Sequence, residues 1–168
     1  MDKTKVTKDF ETNTLTIERT FDAPRERVWD AYADADKFVQ WWGPEGWETT
    51  VKELNLTPGG RNHYCMKCVD ERQGEWFNQE SWGMMVFEDV NEPASFTYKD
   101  YFSDAEGTLN KEMPTMTITM DFIEEDGKTK VVSRGVVESK EQLEQLVNMG
   151  MVEGITSTMD KLETFLAK

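Results

Sequence analysis

Apolar and polar residues alternate along much of the chain, which is the pattern of strands that bury one face. Residues 14–21 show the first clear alternation, and residues 114–125 alternate cleanly between apolar side chains and threonine. Asp126-Gly127 then forms a hairpin turn signal. Further strands are predicted at 47–54, 61–69, 77–90, 94–102 and 128–137.

Helical spacing replaces this alternation in two places. Between Pro24 and Trp42 the apolar residues recur at helical intervals with a break in the middle, which predicts two short helices. From about residue 140 to 166, leucine, valine, methionine and isoleucine form one continuous apolar stripe. The pattern therefore predicts one long C-terminal helix, with Gly150 and Gly154 one turn apart on its buried stripe.

The order of the elements defines an α+β fold in a single domain spanning residues 1–168. A sheet with one apolar face needs a cover, and the C-terminal helix is the only element long enough to lie across it. A curved antiparallel sheet clasping that helix leaves room for a cavity between them. The polar residues 1–13 are expected to form a frayed N-terminal tail.

The charge of the chain excludes several classes of partner. The formal net charge is −14, from 33 acidic and 19 basic residues. A field of that sign repels phosphate backbones and anionic lipid headgroups, so neither nucleic acid nor a membrane surface is an expected partner. No signal peptide and no apolar run of membrane-spanning length appears, which favours a cytoplasmic protein.

The histidine and cysteines of the HYCMKC stretch are the candidates for metal or redox chemistry. Cys65 and Cys68 have the C-x-x-C spacing, but a strand sends residues three apart to opposite faces. A zinc site needs about four ligands, and His63 is the only further His or Cys in the chain. We therefore expect two reduced structural thiols, a surface histidine, and no metal or cofactor.

Several stretches resemble the helix-grip, START-like superfamily (SRPBCC), and in particular its AHSA-type branch, the domain of the activator of heat-shock-chaperone ATPase. The specific words are FDAPRERVW and WWGP, which occur together in residues 19–44. Supporting stretches are the Pro-Gly-Gly strand entry at 58–60, FEDVNEPASFTY at 87–98 and GMVEGITSTMDKLETFL at 150–166. The resemblance covers nearly the whole chain from Thr14.

The resemblance implies a hydrophobic cavity between the sheet and the C-terminal helix, and it assigns the inward-facing positions. Such a wall suits a small, mostly apolar ligand. The ligand-binding residues expected on this basis are Trp41, Tyr64, Met66, Met85, Phe87, Tyr98, Met116, Ile118, Met120, Gly150, Met151, Gly154 and Ile155. Neighbouring helical positions point about 100° apart, so one of Trp41 and Trp42 is expected in the core and the other at the cavity mouth.

Three functions follow from the resemblance. The favoured one is a non-enzymatic carrier or sensor of a small hydrophobic molecule. A chaperone-associated cofactor ranks lower, because chaperone activators couple this domain to an additional N-terminal domain that we do not find in this sequence. A cyclase-like or hydrolase-like enzyme would need an inward carboxylate, for which Glu80, Asp100 and Glu153 are the candidates. The sequence leaves open whether two copies associate as a homodimer.

Overall fold

The computed structural model describes residues 3–168, which form one antiparallel sheet with helices on its inner face. The elements in chain order are β1 (Lys5–Asp9), β2 (Thr14–Phe21), α1 (Arg25–Ala33), α2 (Ala35–Phe38), β3 (Trp47–Leu54), β4 (Arg61–Cys68), a 3₁₀ segment (Glu71–Trp76), β5 (Glu80–Asn91), β6 (Ser95–Ser103), β7 (Met116–Glu125), β8 (Lys128–Val136), α3 (Lys140–Asn148) and α4 (Met151–Leu166).

The eight described strands pair in the order β1-β2-β8-β7-β6-β5-β4-β3. The long connection from β2 through α1 and α2 carries the chain from one side of the sheet to its far edge, and hairpins then bring it back. The predicted turn forms the β7–β8 hairpin, with positive φ angles at Asp126 and Gly127 as a tight two-residue turn requires. The predicted α+β helix-grip fold with a curved antiparallel sheet is confirmed.

The expectation of a frayed N-terminal tail is wrong for most of its length. Strand β1 pairs with β2 over five residues, from Lys5 opposite Glu18 to Asp9 opposite Thr14. Most of the β1 side chains are exposed, so its sequence shows no apolar alternation. Backbone hydrogen bonds to β2 position this strand at the sheet edge. Residues 1 and 2 of the predicted tail lie outside the described residues.

Helices α1 and α2 cover one part of the inner face with aromatic side chains. We call this the aromatic core; its members are Trp29, Tyr32, Phe38, Trp41, Phe96 and Phe122. The Trp29 ring meets the rings of Phe96 and Phe122 edge to face, with centroids 5.5 Å apart in both pairs. Such geometry fills space at close range, and Trp29 is only 2% exposed.

The predicted single C-terminal helix is instead two helices. Helix α3 ends at Asn148, and α4 begins at Met151. Gly150 between them has φ +91°, a left-handed conformation that ends a helix and that residues with a Cβ rarely adopt. Position 150 is therefore a glycine because of its backbone conformation, and not because a side chain there would disturb packing on a buried stripe. The broken helix still lies over the sheet.

Candidate functional site: an apolar cavity beside the helix break

A cavity of about 330 Å³ lies between the inner sheet face and the α3–α4 junction. Its walls come from β2, β6, β7 and β8 on one side and from α3 and α4 on the other. The alternation of β7 supplies the floor, because every second residue from Met116 to Met120 points inward and is buried. Pockets of this size and character are typical of small-molecule sites.

The cavity is open beside the helix because glycine leaves the space there unfilled. A Cβ placed on Gly154 would meet no heavy atom within 4 Å, and one on Gly150 would meet only the Glu153 carboxylate at 4.0 Å. Met151 and Ile155 on the same stretch of α4 are half-buried. The first turns of α4 thus lie over the sheet without packing tightly on it.

A third glycine shapes the floor of the cavity from within the sheet. Gly135 on β8 lies beside Met116, and a Cβ at position 135 would overlap the Met116 sulfur. The absence of that Cβ lets the Met116 side chain lie against the sheet. In this position Met116 leaves more space in the cavity above it, and its flexible thioether can adjust to a guest.

Nine of the thirteen expected ligand-binding residues line this cavity. They are Met66, Tyr98, Met116, Ile118, Met120, Gly150, Met151, Gly154 and Ile155. The register of the sheet brings Tyr98 opposite Ile118 on neighbouring strands, which joins residues distant in sequence into one wall.

The other four expected residues, Trp41, Tyr64, Met85 and Phe87, are packed into the core and do not line the cavity. Tyr64 lies over Gly83 of the neighbouring strand, where a Cβ would collide with its ring. Phe87 packs edge to face on Phe96 at 5.7 Å. The three strand residues among them point to the inner face of the sheet as expected. None of the four borders the cavity, because aromatic side chains fill the space above this part of the sheet.

One of the two adjacent tryptophans lies in the core and the other at the cavity, as expected, but the one that lines the cavity is Trp42 and not Trp41. Trp41 is fully buried, and its Nε1–H donates to the Ala31 carbonyl oxygen at 3.0 Å. Trp42 lines the cavity, with its ring stacked on Phe38 at a centroid distance of 4.9 Å. Helical periodicity predicts one ring in each environment, but it does not indicate which of the two tryptophans faces the core.

A buried arginine closes one end of the cavity. The Arg19 side chain is 1% exposed, and its guanidinium donates to the Asp160 and Glu163 carboxylates at 2.6 Å each. These bonds tie β2 to α4 and neutralise the charge. The Nε–H of Arg19 has no hydrogen-bond partner among the described residues. Strand periodicity places residue 19 on the inner face with Ile17, but it does not reveal the two acidic partners.

Asp100 is the one carboxylate on the cavity wall as far as the structure describes it. Burial raises its pKa from the ordinary value of 3.8 to about 7. Burial is also the main reason that the pKa values of Tyr64 and Tyr98 lie well above the ordinary value, and the nearby Asp100 charge adds to both shifts. The site therefore combines an apolar wall with a single poorly solvated acid.

Two further polar atoms at the cavity are buried without a partner among residues 3–168: the Tyr32 hydroxyl and the Trp42 Nε1–H. Both side chains contribute to the cavity wall. A buried donor without a partner costs roughly 1–3 kcal/mol of desolvation. Both atoms are enclosed by neighbouring side chains, so this cost belongs to the packing around the cavity.

The other candidates for acid–base chemistry lie away from the cavity. Glu80 and Glu153 are exposed. His63 is not on the surface as expected: it is buried on the outer sheet face, near Trp82, where Nε2 lies 2.9 Å from the Asp104 carbonyl oxygen. The segment between β6 and β7 covers it, and periodicity within a strand cannot predict such a cover.

Metal-binding groups do not come together in the part of the chain described. No three His, Cys, Asp or Glu side chains are arranged to hold an ion across residues 3–168. Cys65 and Cys68 are both buried free thiols. Over the same residues, no helix has the length and apolar composition needed to cross a bilayer.

A second depression lies on the outer side of α4 and differs in character. Its volume is about 500 Å³, and its lining includes Glu45, Asp160, Lys161 and Lys168. Charged and polar side chains of this kind are already solvated, so the depression offers little apolar area to a guest. The cavity over β7 is the better candidate site despite its smaller volume.

The fold and its cavity define the class of the protein as helix-grip, START-like. The family model described as activator of Hsp90 ATPase homolog 1-like protein matches residues 22–167, and the chain belongs to that family. No curated protein matches it.

Solved structures with the same fold cover almost the whole chain. Protein Ms6760 from Mycobacterium smegmatis is 34% identical, with a TM-score of 0.86 over 96% of this chain and 95% of that one. A protein from Arthrobacter aurescens is 27% identical, with a TM-score of 0.87 over 97% and 91% of the two chains. A protein from Staphylococcus epidermidis is 31% identical, with a TM-score of 0.81 over 97% and 93%.

Proposed function

We propose that this protein binds a small hydrophobic molecule and acts as a non-enzymatic carrier or sensor of it. The observation that carries the proposal is the cavity of about 330 Å³ with its apolar wall. Its volume lies near the lower end of the usual range for ligand pockets, which suits a small guest.

The opening beside the helix break supports the same function. No side chain occupies the space next to Gly154, and the glycine itself costs helix stability, roughly 1 kcal/mol relative to alanine. A protein under no demand for that space would gain stability by filling it. The methionines at positions 66, 116, 120 and 151 line the wall with side chains that adapt to different shapes.

Enzymatic activity has weaker support. A cyclase-like or hydrolase-like mechanism needs an acid or base held in place by a second polar group. Asp100 lies on the wall, but no hydrogen bond joins it to another side chain of the described chain. The chaperone-associated alternative draws on the family description alone.

Filling the cavity tests the proposal. The neutral fluorophore N-phenyl-1-naphthylamine brightens on entering an apolar site, so its titration reports binding. We expect the wild-type protein to bind it, and Gly154→Phe, which directs a ring into the open space, to weaken binding by about tenfold or more. Glu153→Phe is the matched control, because it adds the same ring at an exposed position of α4.

Native mass spectrometry of freshly purified protein gives an independent result. A retained small molecule that Gly154→Phe excludes and Glu153→Phe keeps would support the proposal. Equal fluorophore binding by both variants and the wild type, or no binding by any, would count against the cavity as a ligand site.

A further inference from the structure

The Asp100 carboxylate is fixed toward the cavity by its place in the sheet. Strand β6 is hydrogen-bonded on both sides, with residue 100 opposite Met85 on β5 and Met116 on β7. A strand held on both sides cannot turn one side chain to the other face without shifting its register. Asp100 therefore shares the inner face with Tyr98, where it is half-buried, and a local rotation of the backbone cannot turn it to the outer face.

Within the described residues, the Asp100 carboxylate has neither a hydrogen-bond donor nor a free positive charge as a partner. No hydrogen bond from a neighbour stabilises its charged form, and burial alone determines its altered pKa. Arg19, the cation at the same cavity, already donates to Asp160 and Glu163. Asp100 is half-buried on an apolar wall, and a poorly solvated charge without a partner is costly, so a carboxylate kept there implies a partner that arrives with the ligand.

The other residues of the cavity wall indicate that the partner group on the ligand is positively charged. Aromatic side chains share the cavity with Asp100, and their faces attract cations. They are Tyr32, Trp42, Tyr98 and Phe102.

Other polar groups on a ligand fit this wall less well. A carboxylic acid would meet Asp100 as a like charge. An alcohol would donate one hydrogen bond but leave the charge unneutralised. An alkylammonium would form a neutral pair with the carboxylate inside an apolar wall, and the net charge of −14 favours the approach of cations.

We infer that the cavity takes a lipophilic amine, with its ammonium group held by Asp100 among the aromatic rings and its apolar body over the β7 methionines. This inference rests on the proposed function, since it names the class of ligand for the same cavity.

A matched set of probes tests it: 4-phenylbutylamine, 4-phenylbutanol and 4-phenylbutanoate, titrated by isothermal calorimetry. The three share one apolar body and differ in the terminal group. We expect the amine to bind the wild-type protein about tenfold or more tighter than the alcohol, with the acid weakest. Asp100→Asn should remove the preference for the amine and leave the affinity for the alcohol within about twofold. Asp89→Asn, an exposed position on β5, is the matched control and should keep the preference.

The pH dependence provides a second readout. The titratable groups near Asp100 are Tyr64 on β4 and Tyr98 on β6. Tyr32 on α1 and Arg19 on β2 line the same cavity. The raised tyrosine pKa values keep those hydroxyls neutral, and arginine stays charged. Affinity for the amine should therefore fall as pH drops below about 7, because Asp100 takes up a proton, and the alcohol should show no such fall.

The outcomes separate this inference from the function on which it rests. Equal binding of amine and alcohol, or an amine preference that survives in Asp100→Asn, would overturn the amine inference and leave the apolar-ligand function standing. If the wild type binds none of the three probes and also fails to bind the naphthylamine fluorophore, the proposed function fails as well. Circular dichroism of Asp100→Asn, together with its retained alcohol binding, shows that a lost preference does not come from unfolding.

Discussion

The aromatic core and the cavity lie on the same face of the same sheet, yet one is filled and the other is hollow. Over the aromatic core, rings from α1 meet rings from β6 and β7 edge to face, and Phe38 of α2 packs on the fully buried Trp41. Over the cavity, the opposing helix presents glycine at position 154 and half-buried residues on either side of it. Strand β7 runs under both regions, with Phe122 in the first and Met116 in the second.

The hollow arises mainly where the helices leave space, and Gly135 in the sheet adds to it by letting Met116 lie against the strands. The strands alternate in the same way beneath both regions. Tryptophan and phenylalanine supply large, rigid rings where the core is full, whereas glycine leaves the space empty and methionine borders it. Stability should therefore reside mainly in the aromatic core, and adaptability in the region around the helix break.

The largest expected difference comes from truncating one side chain in each region. Trp29→Ala removes a ring packed against Phe96 and Phe122 and should cost about 3–5 kcal/mol of unfolding free energy. Ile155→Ala at the cavity wall should cost about 1 kcal/mol, because the side chain is half-buried and borders space that is already open. Urea unfolding followed by far-ultraviolet circular dichroism measures both. Similar losses at the two positions would show that the cavity region is as tightly packed as the core.

The next effect is a pH dependence that arises only in the hollow region. The Asp100 carboxyl keeps its proton in the folded state up to about pH 7, whereas the unfolded chain loses it near 3.8. Between these values the folded state binds more protons, so stability falls as pH rises, by at most about 1.4 kcal/mol per pH unit. Asp100→Asn should remove this fall and be the more stable protein above the window.

The comparison of wild type with Asp100→Asn isolates that one group. The lowered pKa values of Asp70, Asp104 and Glu163 give the opposite trend, since stability from those carboxylates is lost as pH falls. These groups are the same in both proteins, so their contributions cancel in the difference. A wild-type-minus-variant difference that does not change with pH would show that Asp100 is already solvated or paired.

The two glycines at the cavity provide a matched pair of smaller effects. Gly154→Ala should stabilise by about 1 kcal/mol, because its backbone is helical and the added Cβ meets nothing within 4 Å. Gly150→Ala should destabilise by about 1–2 kcal/mol, since φ is +91° and a Cβ is strained there whatever the space around it. Thermal unfolding of both variants measures the signs. A gain at both positions would mean that α3 and α4 can join into one continuous helix.

The sheet is predictable from the sequence where one face is buried, and it is not predictable where pairing alone positions a strand. Residues 14–21 and the β7–β8 hairpin follow from alternation and a turn signal, and the structure has them at those places. Strand β1 exposes most of its side chains, so no pattern marks it. In the sequence, Gly150 alone marks the helix break, and a glycine inside an apolar stripe has more than one interpretation.

For the cavity, the sequence predicts which residues point inward but not which of them border empty space. Parity places Phe87 and Tyr98 on the same face, yet Phe87 packs in the core and Tyr98 lines the cavity. The difference depends on what lies opposite each residue, which is a property of helix placement. The family resemblance predicts the cavity and the inward parity, and Asp100 is one of three inward carboxylates that the sequence offers. Which tryptophan and which carboxylate lie on the wall, and the place of Arg19 there, required the structure.

The smallest effect compares two buried hydroxyls, one without a hydrogen-bond partner where the aromatic core borders the cavity and one with a partner on β8. The Tyr32 hydroxyl at the cavity has no hydrogen-bond partner among the described residues, whereas the Thr129 hydroxyl donates to the Ala23 carbonyl oxygen at 2.7 Å. Tyr32→Phe should therefore be neutral or stabilise by up to about 1 kcal/mol, and Thr129→Val should cost about 1–2 kcal/mol. Urea unfolding of the two variants in ligand-free protein gives the comparison. A loss from Tyr32→Phe equal to that from Thr129→Val would mean that the tyrosine hydroxyl is already hydrogen-bonded.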